Sequence, residues 1–154
     1  MSMKLAEALI LRADLKKRIA QVKERLNNNA LVQEGETPAL NPQELLTELE
    51  QLIEQSVTLV KQINKTNTLT EFEPGKSLTD VLADRDGLAA RLKALHGLQE
   101  AATIRHDRYS YSEIKSQPTI NIADLQKRVD QLAKQYRELD TKIQGLNWQA
   151  DLLE

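Results

Sequence analysis

The sequence predicts a mainly α protein, a bundle of four long helices with a small β-hairpin between the third and the fourth. Composition comes first: five Gly, four Pro, one Trp, three Tyr and one Phe in 154 residues leave a chain dominated by Leu, Ala, Gln, Glu, Lys and Arg, the usage of long amphipathic helices. Periodicity agrees, because aliphatic residues recur three and four apart through four long segments. Polar stretches rich in turn formers separate those segments. At this length one helical-bundle domain spanning residues 1–154 is the expectation.

The first helix is predicted over residues 3–28, with Leu11, Leu15, Ile19, Val22 and Leu26 on its apolar face. The second covers 42–66. Asn41 precedes it as an N-cap, Pro42 occupies the tolerated first helical position and Glu44 stands where a capping box closes. Three of its rows, Leu46/Ile53/Val60, Leu49/Ser56/Ile63 and Leu45/Leu52/Leu59, make a face wide enough for more than one neighbour.

The third helix opens at Ser77, with Asp80 three residues on, and runs to about Arg105 through Leu78, Val81, Leu82, Leu88, Leu92 and Leu95. Gly87 and Gly97 weaken it or permit a close approach. The fourth carries the most regular seam: Ile122, Leu125, Val129, Leu132, Tyr136, Leu139, Ile143, Leu146, Ala150 and Leu153, capped by Asn121 with Asp124 in the reciprocal position. Such a helix runs about 45 Å.

Of the connections, NNNALVQEGETPALN and NTLTEFEPGKS read as loops, with short extended pieces at Ala30–Val32 and Leu69–Phe72. The third contains DRYSYSEIKSQPTINI, where Tyr109, Tyr111 and Glu113 alternate with Ser110, Ser112 and Ile114, and Pro118 marks a turn before Thr119–Ile122. A period of two predicts the hairpin there. An isolated hairpin is marginal in water, so it is expected to lean on the bundle or on a partner.

Charge is unevenly distributed under a net −2. Residues 1–29 carry seven Lys/Arg against three acids, and residues 30–66 two against six, so the first two helices attract each other. Cysteine is absent, which removes disulfides and thiolate chemistry and makes the cytoplasm the simplest location. MSMKLAEALILRADLKKR is broken by Glu7 and Arg12 and lacks a signal-peptide core. The longest uncharged runs, such as 26–33 and 143–150, are eight residues, far short of the about 20 that a spanning helix needs, so no stable membrane insertion is expected.

Few residues suggest chemistry. His96 and His106 lack the three-or-four spacing of metal ligands on one helix face, and no GxSxG, Walker, HExxH or glycine-rich phosphate motif occurs. No cofactor, metal or catalytic residue is assigned. Arg85 and Gln99 interrupt the row of Leu78 and Leu92. Arg85 either contacts an anion or a partner in a groove between helices or packs its stem and pairs with an acid such as Asp84 or Glu113. Arg105, Arg108 and Lys115, with Tyr109, Tyr111 and Glu113 among them, form the nearest approach to a polar interaction cluster. With an isoelectric point of 5.8, nucleic acid is not an expected partner. Trp148 packs at a helix end or a subunit contact.

The segments INKTN (63–67), DRYSYSEIK (107–115) and YRELDTKIQGLNW (136–148), with the loop QEGETPALNP, resemble the septicolysin-like small bacterial family, an uncharacterised domain family. The resemblance covers almost the whole chain. It implies a pore-forming, thiol-activated haemolysin and brings no active-site set onto these positions. The expected function is therefore a non-catalytic, oligomeric structural or interaction protein whose apolar stripe is completed by another copy. The septicolysin-like pore-former stands as the alternative, and a ligand-binding protein or enzyme with an unrecognised site as a further one.

Overall fold

The structure, a computed structural model, describes residues 2–103 and 114–154. It is mainly α, with helices α1 (Leu5–Asn28), α2 (Pro42–Leu69), α3 (Leu78–Ala101) and α4 (Ile122–Gln149), and one antiparallel hairpin of β1 (Glu71–Glu73) and β2 (Lys76–Ser77). Among the described residues the hairpin lies between α2 and α3, not between α3 and α4 as the sequence suggested. Its turn is Pro74-Gly75, with Gly75 at φ 83°, the positive value that the second central residue of a type II turn requires. The strand expected at Thr119–Ile122 is not formed, because Asn121 is taken as the cap of α4 and Ile122 is its first residue. Residues 109–113 of the other expected strand lie outside the described residues. Ala30–Val32 is irregular, whereas the extended piece foreseen near Leu69–Phe72 overlaps β1.

The helix starts follow local chemistry. The Asn41 side chain accepts from Gln43 N at 2.9 Å with Pro42 at the first position, and the Asn121 side chain accepts from Asp124 N at 3.0 Å. At α1 the Glu7 carboxylate accepts from Lys4 N at 3.2 Å, half of a capping box. A methyl group added at Gly87 or Gly97 meets nothing within 4 Å, so these glycines mark no close approach.

Residues divide into two compact units, Met1–Leu78 with Gln144–Glu154, and Thr79–Ile143. In the first unit α1 and α2 run antiparallel, tied at both ends. At one end Leu40 N donates to Asn29 Oδ1 at 3.0 Å. At the other the chain after α4 joins both helices: Leu152 N donates to Met3 O at 2.8 Å and Leu153 N to Thr66 Oγ1 at 2.9 Å. Lys4 Nζ reaches Asp151 Oδ1 at 2.8 Å on this same edge. The buried residues repeat every seven positions, Ala8, Leu15 and Val22 on α1 and Leu45, Leu52, Leu59 and Thr66 on α2. Seven-residue rows keep one seam facing the partner, and each fully buried aliphatic side chain contributes about 1.5–3 kcal/mol.

In the second unit α3 and α4 are also antiparallel. Arg85 bonds Asp140 and Gln99 bonds Gln126, so fourteen residues forward along α3 match fourteen backward along α4. The seam foreseen for α4 is buried or half-buried from Leu125 onward, while Ile122 is exposed. The helix stops at Gln149, and Asp151 forms an antiparallel bridge with Lys4 instead of prolonging the rod to Leu153.

Thr66 is fully buried, and its hydroxyl donates to Gln62 O at 2.7 Å while accepting from Leu153 N. Thr66→Val keeps the shape but strands the Leu153 amide. We expect a loss of about 1–3 kcal/mol, read from the urea midpoint. An unshifted midpoint would show that this tail contact holds nothing.

Candidate functional site

The sequence placed polar side chains in the α3 stripe, and the structure shows what occupies them. Val81, Arg85, Leu88, Leu92, Leu95 and Gln99 follow one another at spacings of three and four along α3, so Arg85 and Gln99 stand in the seam. Arg85 Nη1 donates to Asp140 Oδ1 at 2.8 Å, with the two side chains 25% and 34% exposed. The half-buried aliphatic stem packs and the head pairs with an acid, as one of the two sequence readings held, but the acid across the seam is Asp140. Glu113 lies outside the described residues.

Gln99 heads a hydrogen-bonded chain across the pair. Its Nε2 donates to Gln126 Oε1 at 2.7 Å, Gln126 Nε2 donates to Asp130 Oδ1 at 2.9 Å, and Gln99 Oε1 faces His96 Nδ1 at 3.2 Å. Three of these four groups are amides or an imidazole joined to each other, an arrangement that fixes register.

Of the remaining residues singled out from the sequence, Arg105, Arg108, Tyr109, Tyr111 and Glu113 lie outside the described residues. Lys115 is exposed in the irregular segment before α4. Trp148 sits on the last turn of α4, 55% exposed. Among the described residues no cluster of three or more His, Cys, Asp or Glu could hold a metal. No helix among them is long and apolar enough to cross a membrane.

Three surfaces stand out, of which the sequence marked only the first, and that in part. On α2, Leu46, Ile53 and Val57 are 39%, 43% and 41% exposed, although the next row, Leu45/Leu52/Leu59, is buried. The breadth of that face was legible, but which row stays in water was not. On the pair α3/α4, Arg91 and Arg128 line a depression of about 240 Å³ with Leu95 and Leu132. Neither arginine has an acid partner among the described residues. Guanidinium groups over an aliphatic floor suit the holding of an anion rather than proton transfer. A groove of about 550 Å³ also runs between α1 and α2, floored by Leu15, Leu59 and Leu152 and rimmed by Arg18 and Glu54.

The sequence profile of one protein family matches residues 12–152, nearly the whole chain. The chain belongs to the family of unknown function DUF6847. This DUF6847 member is also similar to a functionally unknown conserved protein from Corynebacterium diphtheriae, known from its crystal structure: 44% identity, a TM-score of 0.93, 99% of this chain and 100% of that one covered. No curated protein matches.

The seam pair can be tested directly. Arg85→Met, Asp140→Asn and the double variant form a cycle. We expect a coupling of about 1 kcal/mol between the two side chains, smaller in high salt without vanishing, from chemical denaturation. Strict additivity of the two single changes would remove the pair from the account of α3/α4 register.

Proposed function

We propose that this chain is a non-catalytic interaction protein that associates with itself through its helices. The observation that supports this is the α2 stripe. Leu46, Ile53 and Val57 leave large aliphatic surface in water on a helix whose adjacent face is already packed. Scattered exposed leucines are ordinary, whereas aliphatic residues aligned at helical spacing form a contiguous patch of the kind that marks an interface. The polar side chains in the α3/α4 seam support the same reading, because Arg85 and Gln99 are engaged in pairing the helices.

Light scattering from micromolar to millimolar protein tests it. The mass is expected to rise above the 17.5 kDa of one chain. A mass that stays at one chain throughout overturns self-association. Release of dye from phosphatidylcholine vesicles over the same range would favour the pore-forming alternative implied by the septicolysin-like resemblance.

A second reading, an anion-binding protein, is favoured by Arg91 and Arg128 over their aliphatic floor. Saturating phosphate or citrate would then raise the melting temperature, since a ligand that binds only the folded state stabilises it by mass action. The rise is expected to disappear in Arg91→Ala and Arg128→Ala. An equal rise in those variants would assign it to general salt effects.

A further inference from the structure

We infer that the occupant of the α2 stripe is α2 of a second copy, laid antiparallel across a two-fold axis near Gln55. This rests on the self-association reading and specifies its geometry.

At 3.6 residues per turn, Leu46, Ile53, Val57 and Val60 fall within about 60° of arc on α2. Leu46, Ile53 and Val57 are exposed and Val60 half-buried, so this arc is open to a partner. Glu50 and Lys61 follow along one and the same edge of that arc. Both are exposed, and neither has an ion-pair partner among the described residues.

Position along the helix supplies the second half of the argument. Ile53 lies two residues before Gln55 and Val57 two after; Glu50 lies five before and Lys61 six after. A two-fold axis perpendicular to two antiparallel helices carries each edge onto the same edge of the partner and reverses direction along it. With the axis near Gln55, Ile53 therefore meets Val57 of the second copy, and Glu50 meets Lys61 of the second copy, twice over. One register sets the central aliphatic pair and the charged edge together, with Leu46 opposite Asn64 of the second copy.

A parallel arrangement fails the same test. A two-fold axis parallel to the helices would carry each edge to the far side of the seam and set Glu50 and Lys61 beside the Leu49 and Ser56 edge of the second copy, leaving both charges without a partner. The stripe is thus self-complementary in one direction only, which is the property an isologous contact between identical chains demands.

The chain has no cysteine, so each introduced thiol is the sole one present. In the proposed register the Cα atoms of Ile53→Cys in one copy and Val57→Cys in the other are level along the helices, whereas those of two Leu46→Cys residues are about 27 Å apart. Under mild oxidation of full-length chains, an equimolar mixture of Ile53→Cys and Val57→Cys, the two positions that face each other, is expected to give disulfide-linked dimers and Leu46→Cys none. In parallel, Glu50→Lys is expected to weaken self-association about fivefold, and the exchange Glu50→Lys with Lys61→Glu to restore it. Crosslinking of Leu46→Cys as efficiently as that mixture would overturn the antiparallel register. A dimer that persists while the mixture of Ile53→Cys and Val57→Cys does not crosslink would move the contact off the stripe and leave self-association standing. A chain that is monomeric at every concentration overturns both.

Discussion

Removing aliphatic rows from water along rigid rods is the constraint on which the rest of this structure depends. A helix presents residues seven apart in one line, and two lines that face each other can bury every member only if the helices stay in fixed register. Ala8, Leu15 and Val22 meet that condition on α1, and Leu45, Leu52, Leu59 and Thr66 on α2. Few aromatic side chains are available to fill gaps, so the seam depends on close spacing of medium-sized aliphatics. The last buried position in the α2 row is a threonine because the tail returns there and needs an acceptor for Leu153 N. Burial and hydrogen bonding are thus met by one side chain.

Polar residues placed inside the seams act on register rather than on net stability. An aliphatic pair in place of Arg85 and Asp140 would pack without a desolvation cost, but it would tolerate a slip of the helices that the ion pair does not. The Gln99–Gln126 bond fourteen residues away repeats the constraint. Two such contacts at opposite ends of the stretch fix both the direction and the phase of α3 against α4. This accounts for polar side chains in a row that a purely hydrophobic criterion would fill with leucine.

What the sequence disclosed follows from the range of the physics involved. The starts of α2 and α4 were legible because a cap acts within three residues, and Asn41, Pro42 and Asn121 carry that signal locally. The seam of α4 was legible because its period repeats many times. The hairpin was misplaced for the opposite reason. Alternation over six residues is a weak signal, and the stronger one, Pro74-Gly75 after Glu71, Phe72 and Glu73, lies in a segment whose composition reads as loop. Asp140 could not be identified as the partner of Arg85, since fifty-five residues separate them and only the register of α3 on α4 brings them together. The exposure of Leu46 and Ile53 was illegible too: a row's spacing says that it can be buried, not which neighbours exist to bury it.

The order of charges along α2 has two consequences that reinforce each other. Glu44, Glu48, Glu50 and Glu54 occupy the first half of the helix, and Lys61 and Lys65 the second. The helix dipole is positive at its N-terminus and negative at its C-terminus; Glu44 and the terminal part of this gradient complement it, while the effect fades within about one turn of either end. Glu50 and Lys61 lie deeper than that, so the dipole gives little reason for their signs. Their position does: both stand on the open edge of the aliphatic stripe rather than on the face toward the core. A gradient continued past the reach of the helix's own field, on the edge where a neighbour would lie, is what reversal of direction across a two-fold axis converts into attraction.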